Sequence, residues 1–121
     1  MKGNETLKPL DLARAVVEAL EEKKAENIVL MDLQEHSIVA DYFVICTGAS
    51  DRQLNALAEA VTDALRKKHR LKSPRVEGHA AGGWLLIDYR TVIVHVFSAE
   101  QRKRYQLEDL WRETKTLLRI Q

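Results

Sequence analysis

The sequence predicts an α/β domain, with helices packed on a mixed sheet, and three observations carry that expectation. Apolar residues recur at helical spacing in two long stretches, from Leu10 to Leu20 and from Leu54 to Leu65. Short runs rich in branched and aromatic residues, Ile28 to Leu33, Tyr42 to Thr47, Trp84 to Asp88 and Thr91 to Phe97, have the length and composition of strands. The two patterns alternate in the order α-β-β-α-(β)-β-β-α and include a late hairpin, which calls for a mixed sheet rather than a purely parallel one.

The chain opens with a polar segment, residues 1–8, expected to be flexible, and Pro9 suits a helix start because its missing N–H would be unpaired there in any case. Leu10, Ala13, Val16, Val17 and Leu20 then share one face of an amphipathic helix, with Arg14, Glu18, Glu21 and Glu22 elsewhere. Ile28 to Leu33 is too short for a second helix and reads as the first strand. Gln34 to Ala40 is polar enough for a loop. Tyr42 to Thr47 has no polar gap, the signature of a central strand covered on both faces.

Gly48 turns that strand into the second helix. Ser50 followed by Gln53 is a capping-box pattern, and Asp51 adds negative charge at the positive end of the helix dipole. Leu54, Leu57, Ala58, Val61 and Leu65 form its apolar face, Arg66 to Arg70 suit its negative end, and Ser73-Pro74 is expected to stop it. Arg75 to Gly78 allows a short strand, and His79 to Gly83, with two glycines, reads as a flexible connection. The hairpin follows, tipped by Tyr89-Arg90. Its tip lacks glycine, so a longer or bulged turn is expected. Ser98 with Gln101 repeats the capping pattern and opens a last helical region, with Leu107, Leu110, Trp111, Thr114 and Leu118 on one side.

Composition narrows the function. The chain of 121 residues is one domain of ordinary globular make-up, 45% hydrophobic and 31% charged, able to bury roughly 60–70% of its unfolded surface. Nineteen basic against 18 acidic residues leave a net charge of +1, a poor fit to a surface built mainly to neutralise nucleic-acid phosphates. A protein partner is easier to justify, with peripheral RNA contact open to the Arg66–Arg70 and Arg102–Arg104 clusters. Cys46, the single cysteine, rules out an intramolecular disulfide and falls within an apolar strand. No secretory signal or run of about 20 apolar residues is present, which points to the cytoplasm, or to an organelle matrix for a processed form, and to no membrane role.

Catalytic patterns are weak. The four histidines share no metal-ligand spacing, and His95 alternates with Ile93 and Phe97 as a hydrogen-bonded sheet-face residue would. Gly48-Ala49-Ser50 is similar to the glycine-serine turn of nucleotidyltransferases, which keeps a nucleotide-binding or nucleotidyl-transferring function as the alternative reading. Such enzymes need paired carboxylates to hold Mg²⁺, and the chain contains no Asp-x-Asp. The missing carboxylate pair tells against that alternative.

Asp41-Tyr42-Phe43-Val44-Ile45, Thr47-Gly48, Ser50-Asp51-Arg52-Gln53, Glu77-Gly78, Trp84-x-x-x-Asp88-Tyr89, Val92-x-Val94-His95-Val96-Phe97 and Tyr105-x-Leu107-Glu108-x-Leu110-Trp111 occur together. In combination they resemble the Iojap-like ribosomal silencing factors, over a core of about residues 10–111 within a single domain, 1–121. The resemblance implies a homodimeric, non-enzymatic protein with a nucleotidyltransferase-like sheet, and one that needs no cofactor and no small-molecule substrate. It further implies a translational repressor that binds the large ribosomal subunit through ribosomal protein fourteen, blocks joining of the small subunit, and lowers translation when nutrients are scarce. Organelle relatives act in ribosome assembly. Carried over residue by residue, the partner contact falls on Trp84 and Asp88, with Tyr89 beside them, and more weakly on Glu77, Glu100, Arg104 and Tyr105. Trp84 is expected to act as a binding hot spot rather than as core. Family members usually carry Gly-Asp where this chain has Arg90-Thr91, which changes the charge and geometry of the hairpin tip.

Overall fold

The computed structural model describes residues 7–110 and 114–121. Its elements are α1 (Pro9–Glu22), β1 (Glu26–Asp32), β2 (Tyr42–Gly48), α2 (Asp51–His69), β3 (Arg75–His79), a 3-10 turn (Ala80–Gly82), β4 (Trp84–Asp88), β5 (Val92–Ser98), α3 (Ala99–Tyr105), α4 (Leu107–Leu110) and β6 (Lys115–Ile120). The six strands form one mixed sheet in the order β3-β4-β5-β2-β1-β6. β2 and β5 run parallel at its centre, and every other pairing is antiparallel.

Strand alternation gives the sheet two distinct faces. On one, Tyr42, Val44 and Cys46 of β2, Val92, Val94 and Val96 of β5, and Leu85 and Ile87 of β4 join the buried faces of α1 and α2 in the larger core. On the other, Val29, Met31, Phe43, Ile45, Ile93 and Phe97 form a smaller cluster, with Trp84, Leu86 and Leu107 packed at its margin. All seven residues of β2 are buried, as its ungapped apolar composition requires. Burial pushes the Cys46 thiol up to about 12, so it stays protonated and packs as a small apolar residue.

The capping pattern at the start of α2 forms, with one shift. Ser50 Oγ accepts the Gln53 N–H, but the Gln53 side chain accepts the N–H of Ala49 rather than that of Ser50. Its amide nitrogen also donates to the carbonyls of Lys23 and Lys24, tying α2 to the end of α1. α2 ends earlier than Ser73-Pro74. Arg70 adopts a left-handed φ of 58°, and the N–H groups of Arg70 and Leu71 return to the carbonyls of Arg66 and Leu65.

Two further sequence expectations are corrected. His79 to Gly83 is not an open flexible connection: Ala80 is buried in the core, and Gly83 at φ 79° closes the 3-10 turn through its N–H to the Ala80 carbonyl. The last helical region is not continuous either. α3 stops at Gln106, which is left-handed at φ 47°, α4 is one turn long, and Lys115–Ile120 is a strand. Leu118 therefore lies opposite Leu30 of β1 instead of on a helix face with Leu107. The physical reason is the unsatisfied edge of β1, whose residues Ile28 to Met31 are buried and whose outer backbone groups β6 pairs. Trp111, assigned to that helix face, lies outside the described residues.

Candidate binding face

β4 contributes Trp84, Leu86 and Asp88 to the sheet face turned away from α1 and α2. The antiparallel register sets Trp84 beside Phe97 and Leu86 beside His95 on one flank, and opposite His79 and Glu77 of the edge strand β3 on the other. α3 closes the end of this face. The ring of its last residue, Tyr105, lies tilted across the Trp84 ring at 4.6 Å between centroids, and the Trp84 ring in turn lies 4.8 Å from that of Phe97. Tyr105 is 45% exposed, so the pair offers one aromatic surface to solvent while its base rests on the core.

Trp84, expected to act as a binding hot spot rather than as core, also has partners inside the domain. It is half-buried, and its indole N–H donates to His95 Nδ1 at 3.2 Å. An indole nitrogen can only donate, so Nδ1 is the acceptor and the imidazole is neutral with its proton on Nε2. His95 is 4% exposed, ringed by Phe43, Trp84 and Phe97, and burial pulls its pKa from 6.5 down to about 4. It is a sheet-face histidine held by a hydrogen bond, as its alternation in sequence indicates.

The other candidates separate. Arg104 lies over the Tyr105 ring at 6.0 Å, and Glu100 is exposed in the first turn of α3. Glu77 shares the face with Trp84 and reaches Arg75 at 3.3 Å, an exposed pair worth little by itself. Asp88 is on the same face as Trp84, but four residues along an extended strand set it roughly 13 Å away. It is not without a partner, because its Oδ1 accepts the Arg90 N–H at 2.6 Å. Tyr89 does not lie beside Trp84 and Asp88 on this face. Its ring packs against the helix-side core, where its hydroxyl is buried without a hydrogen-bond partner, and burial pushes the phenol pKa well above its ordinary value. The strand period of two accounts for the difference, since neighbours along a strand face opposite sides.

Arg102 is the site residue that sequence reasoning missed. Its guanidinium is mostly buried and donates to Thr47 Oγ1, to the Asn27 carbonyl and to Glu108, so one side chain ties α3 and α4 to the ends of β1 and β2. Its partners at positions 27 and 47 are remote in the chain, and no local pattern announces them. Burial works against ionisation of Glu108, but the hydrogen bond and charge of Arg102 outweigh it and hold that carboxyl below its ordinary pKa.

The Gly48-Ser50 turn offers no open anion cradle. The Ala49 N–H is taken by Gln53 Oε1, Ser50 Oγ is the helix cap, and a Cβ on Gly48 would come within 2.7 Å of Leu54. Among the described residues, no group of three His, Cys, Asp or Glu side chains could hold a metal ion, and no helix is long and apolar enough to cross a membrane.

A mixed sheet covered by helices on one side, with an aromatic surface set among charges on the other, defines an interaction domain. The chain matches the family described as "Ribosomal silencing factor during starvation" over residues 6–121. It is 36% identical over 107 residues to the ribosomal silencing factor of Halalkalibacterium halodurans, covering 88% of this chain and 91% of that protein. It is also 30% identical over 98 residues to the mouse protein "Mitochondrial assembly of ribosomal large subunit protein 1", covering 79% of this chain and 43% of the relative. A crystal structure of a Chromobacterium violaceum protein aligns with a TM-score of 0.80 at 32% identity, covering 86% of each chain. The chain belongs to the ribosomal silencing factor family. It is therefore a ribosome-associated regulator and not an enzyme.

Proposed function

We propose that this protein represses translation by binding the large ribosomal subunit through ribosomal protein fourteen and blocking small-subunit joining by steric occlusion when nutrients are limiting. It acts in the cytoplasm as a homodimer, without a cofactor. The observation that carries the reading is the contacting Trp84–Tyr105 pair, a half-buried tryptophan beneath an exposed tyrosine. Large aromatics anchored in this way are the residue types that dominate binding energy at interfaces, and Glu77, Glu100 and Arg104 supply a charged rim. Asp88 serves a separate, more distant contact near the hairpin tip. The sheet is read as nucleotidyltransferase-like architecture whose glycine turn now only caps a helix.

Co-sedimentation with isolated subunits tests the proposal: binding to the large subunit alone is expected, and equal binding to both subunits rejects it. Trp84→Ala should weaken binding by about 2 kcal/mol or more. Because Trp84 also packs inside the domain, Tyr105→Ala is the cleaner variant, expected to leave the fold intact while relieving the block to subunit joining. A Tyr105→Ala protein that blocks joining as well as the parent removes the aromatic pair from the contact.

A further inference from the structure

We propose that the cleft between α1, the α2–β3 connection and the β4–β5 hairpin binds a phosphorylated small molecule with a flat apolar body, of the nucleotide class. The cleft measures about 820 Å³, within the range of ligand sites, and is separate from the Gly48-Ser50 turn. Its lining divides into two chemistries. Pro9, Leu12, Leu71, Pro74 and the Tyr89 ring provide apolar wall, while Lys72 and Arg90 bring two positive charges to the same opening; Arg75 borders it, but its guanidinium is turned to the opposite face with Glu77. Among the described residues, Asp88 is the one carboxylate in the lining; its side chain belongs to the Trp84 face and already accepts a hydrogen bond from the Arg90 N–H. An anionic group with an apolar attachment complements this combination, whereas a neutral or purely apolar ligand leaves the cations unused.

Backbone geometry supplies an independent argument. Arg90 sits at φ 77° in a tight turn closed by the Thr91 N–H to the Tyr89 carbonyl. Glycine takes that conformation freely, and a side chain there costs roughly 1 kcal/mol. A strained arginine at the mouth of a cationic cleft is the pattern of a residue kept for what its guanidinium binds.

The cleft opens on the helix side of the hairpin, and Trp84 and Tyr105 lie on the other side of the sheet. A ligand there would leave the aromatic pair uncovered and touch the hairpin that presents Asp88, so occupancy would bias the tip rather than compete for the aromatic surface. That coupling rests on the function proposed above; the binding itself does not. The test is therefore made on the purified protein without ribosomes, by amide chemical shifts and calorimetry with ATP, GTP, inorganic triphosphate, adenosine and a short RNA duplex. ATP or GTP should shift the amides of Leu71, Lys72, Tyr89 and Arg90, and should bind more tightly than either triphosphate or adenosine. Lys72→Ala and Arg90→Gly should each weaken nucleotide binding about tenfold, the loss of one charge-assisted contact, with thermal stability retained. Three results overturn the proposal: no shift at millimolar nucleotide, triphosphate binding as tightly as ATP, or binding of the RNA duplex alone.

Discussion

Acidification should expose how His95 is held. The unfolded chain titrates this imidazole near 6.5, whereas in the folded protein burial lowers the value to about 4. Between those values the unfolded state binds the extra proton, so stability falls as pH falls. The contribution is intact above pH 6.5, declines through the window from 6.5 to 4, and is exhausted below it. Each unit of difference is worth about 1.36 kcal/mol, and moving from pH 7 to pH 5 therefore removes about 2 kcal/mol. Protonation at Nδ1 would also abolish the acceptor for the Trp84 N–H. Urea unfolding of the parent and of His95→Gln across pH 5–7 measures the effect, since glutamine can accept from Trp84 but does not titrate. The variant should show a pH dependence flatter by about 2 kcal/mol over that range. In parallel, imidazole ¹⁵N shifts should report a neutral ring at pH 5, protonated at Nε2. A folded-state His95 that titrates near 6.5, or identical pH slopes for the two proteins, would refute the reasoning.

Other consequences are simpler to measure. Gly78→Ala places a methyl 2.2 Å from the Trp84 carbonyl oxygen at φ 92°, and because the obstacle is backbone the variant should lose about 3 kcal/mol or more in thermal or denaturant unfolding. Arg90→Gly relieves a positive φ and should keep or raise stability, by up to about 1 kcal/mol, in the same assay. Arg102→Ala removes contacts to Thr47, Asn27 and Glu108, and should cost about 3 kcal/mol. Because Glu108 has a depressed pKa in the fold, its share of stability is present above pH 4.5 and is lost as pH falls through the folded value; Arg102→Ala should erase that acid-limb dependence in urea titrations.

What the sequence by itself determined was local or periodic. The apolar run from Tyr42 to Thr47 specified a strand buried on both faces, Ser50 and Ser98 marked two helix starts, and the alternation of Ile93, His95 and Phe97 assigned them to one face. The resemblance carried by the hairpin and Tyr105 motifs identified the family before any contact was known. Tertiary structure decided what depends on remote partners. Lys115–Ile120 is as compatible with a helix end as with a strand until β1 presents an edge to pair, and Arg102 is an ordinary helix cation until folding brings Asn27 and Thr47 within reach. Trp84 has the same character. Its sequence neighbours suggest an exposed anchor, but the register of β4 on β5 sets its N–H against His95, and α3 brings Tyr105 onto its ring. Periodicity dictates which face a residue takes, while only the packed chain decides what it meets there.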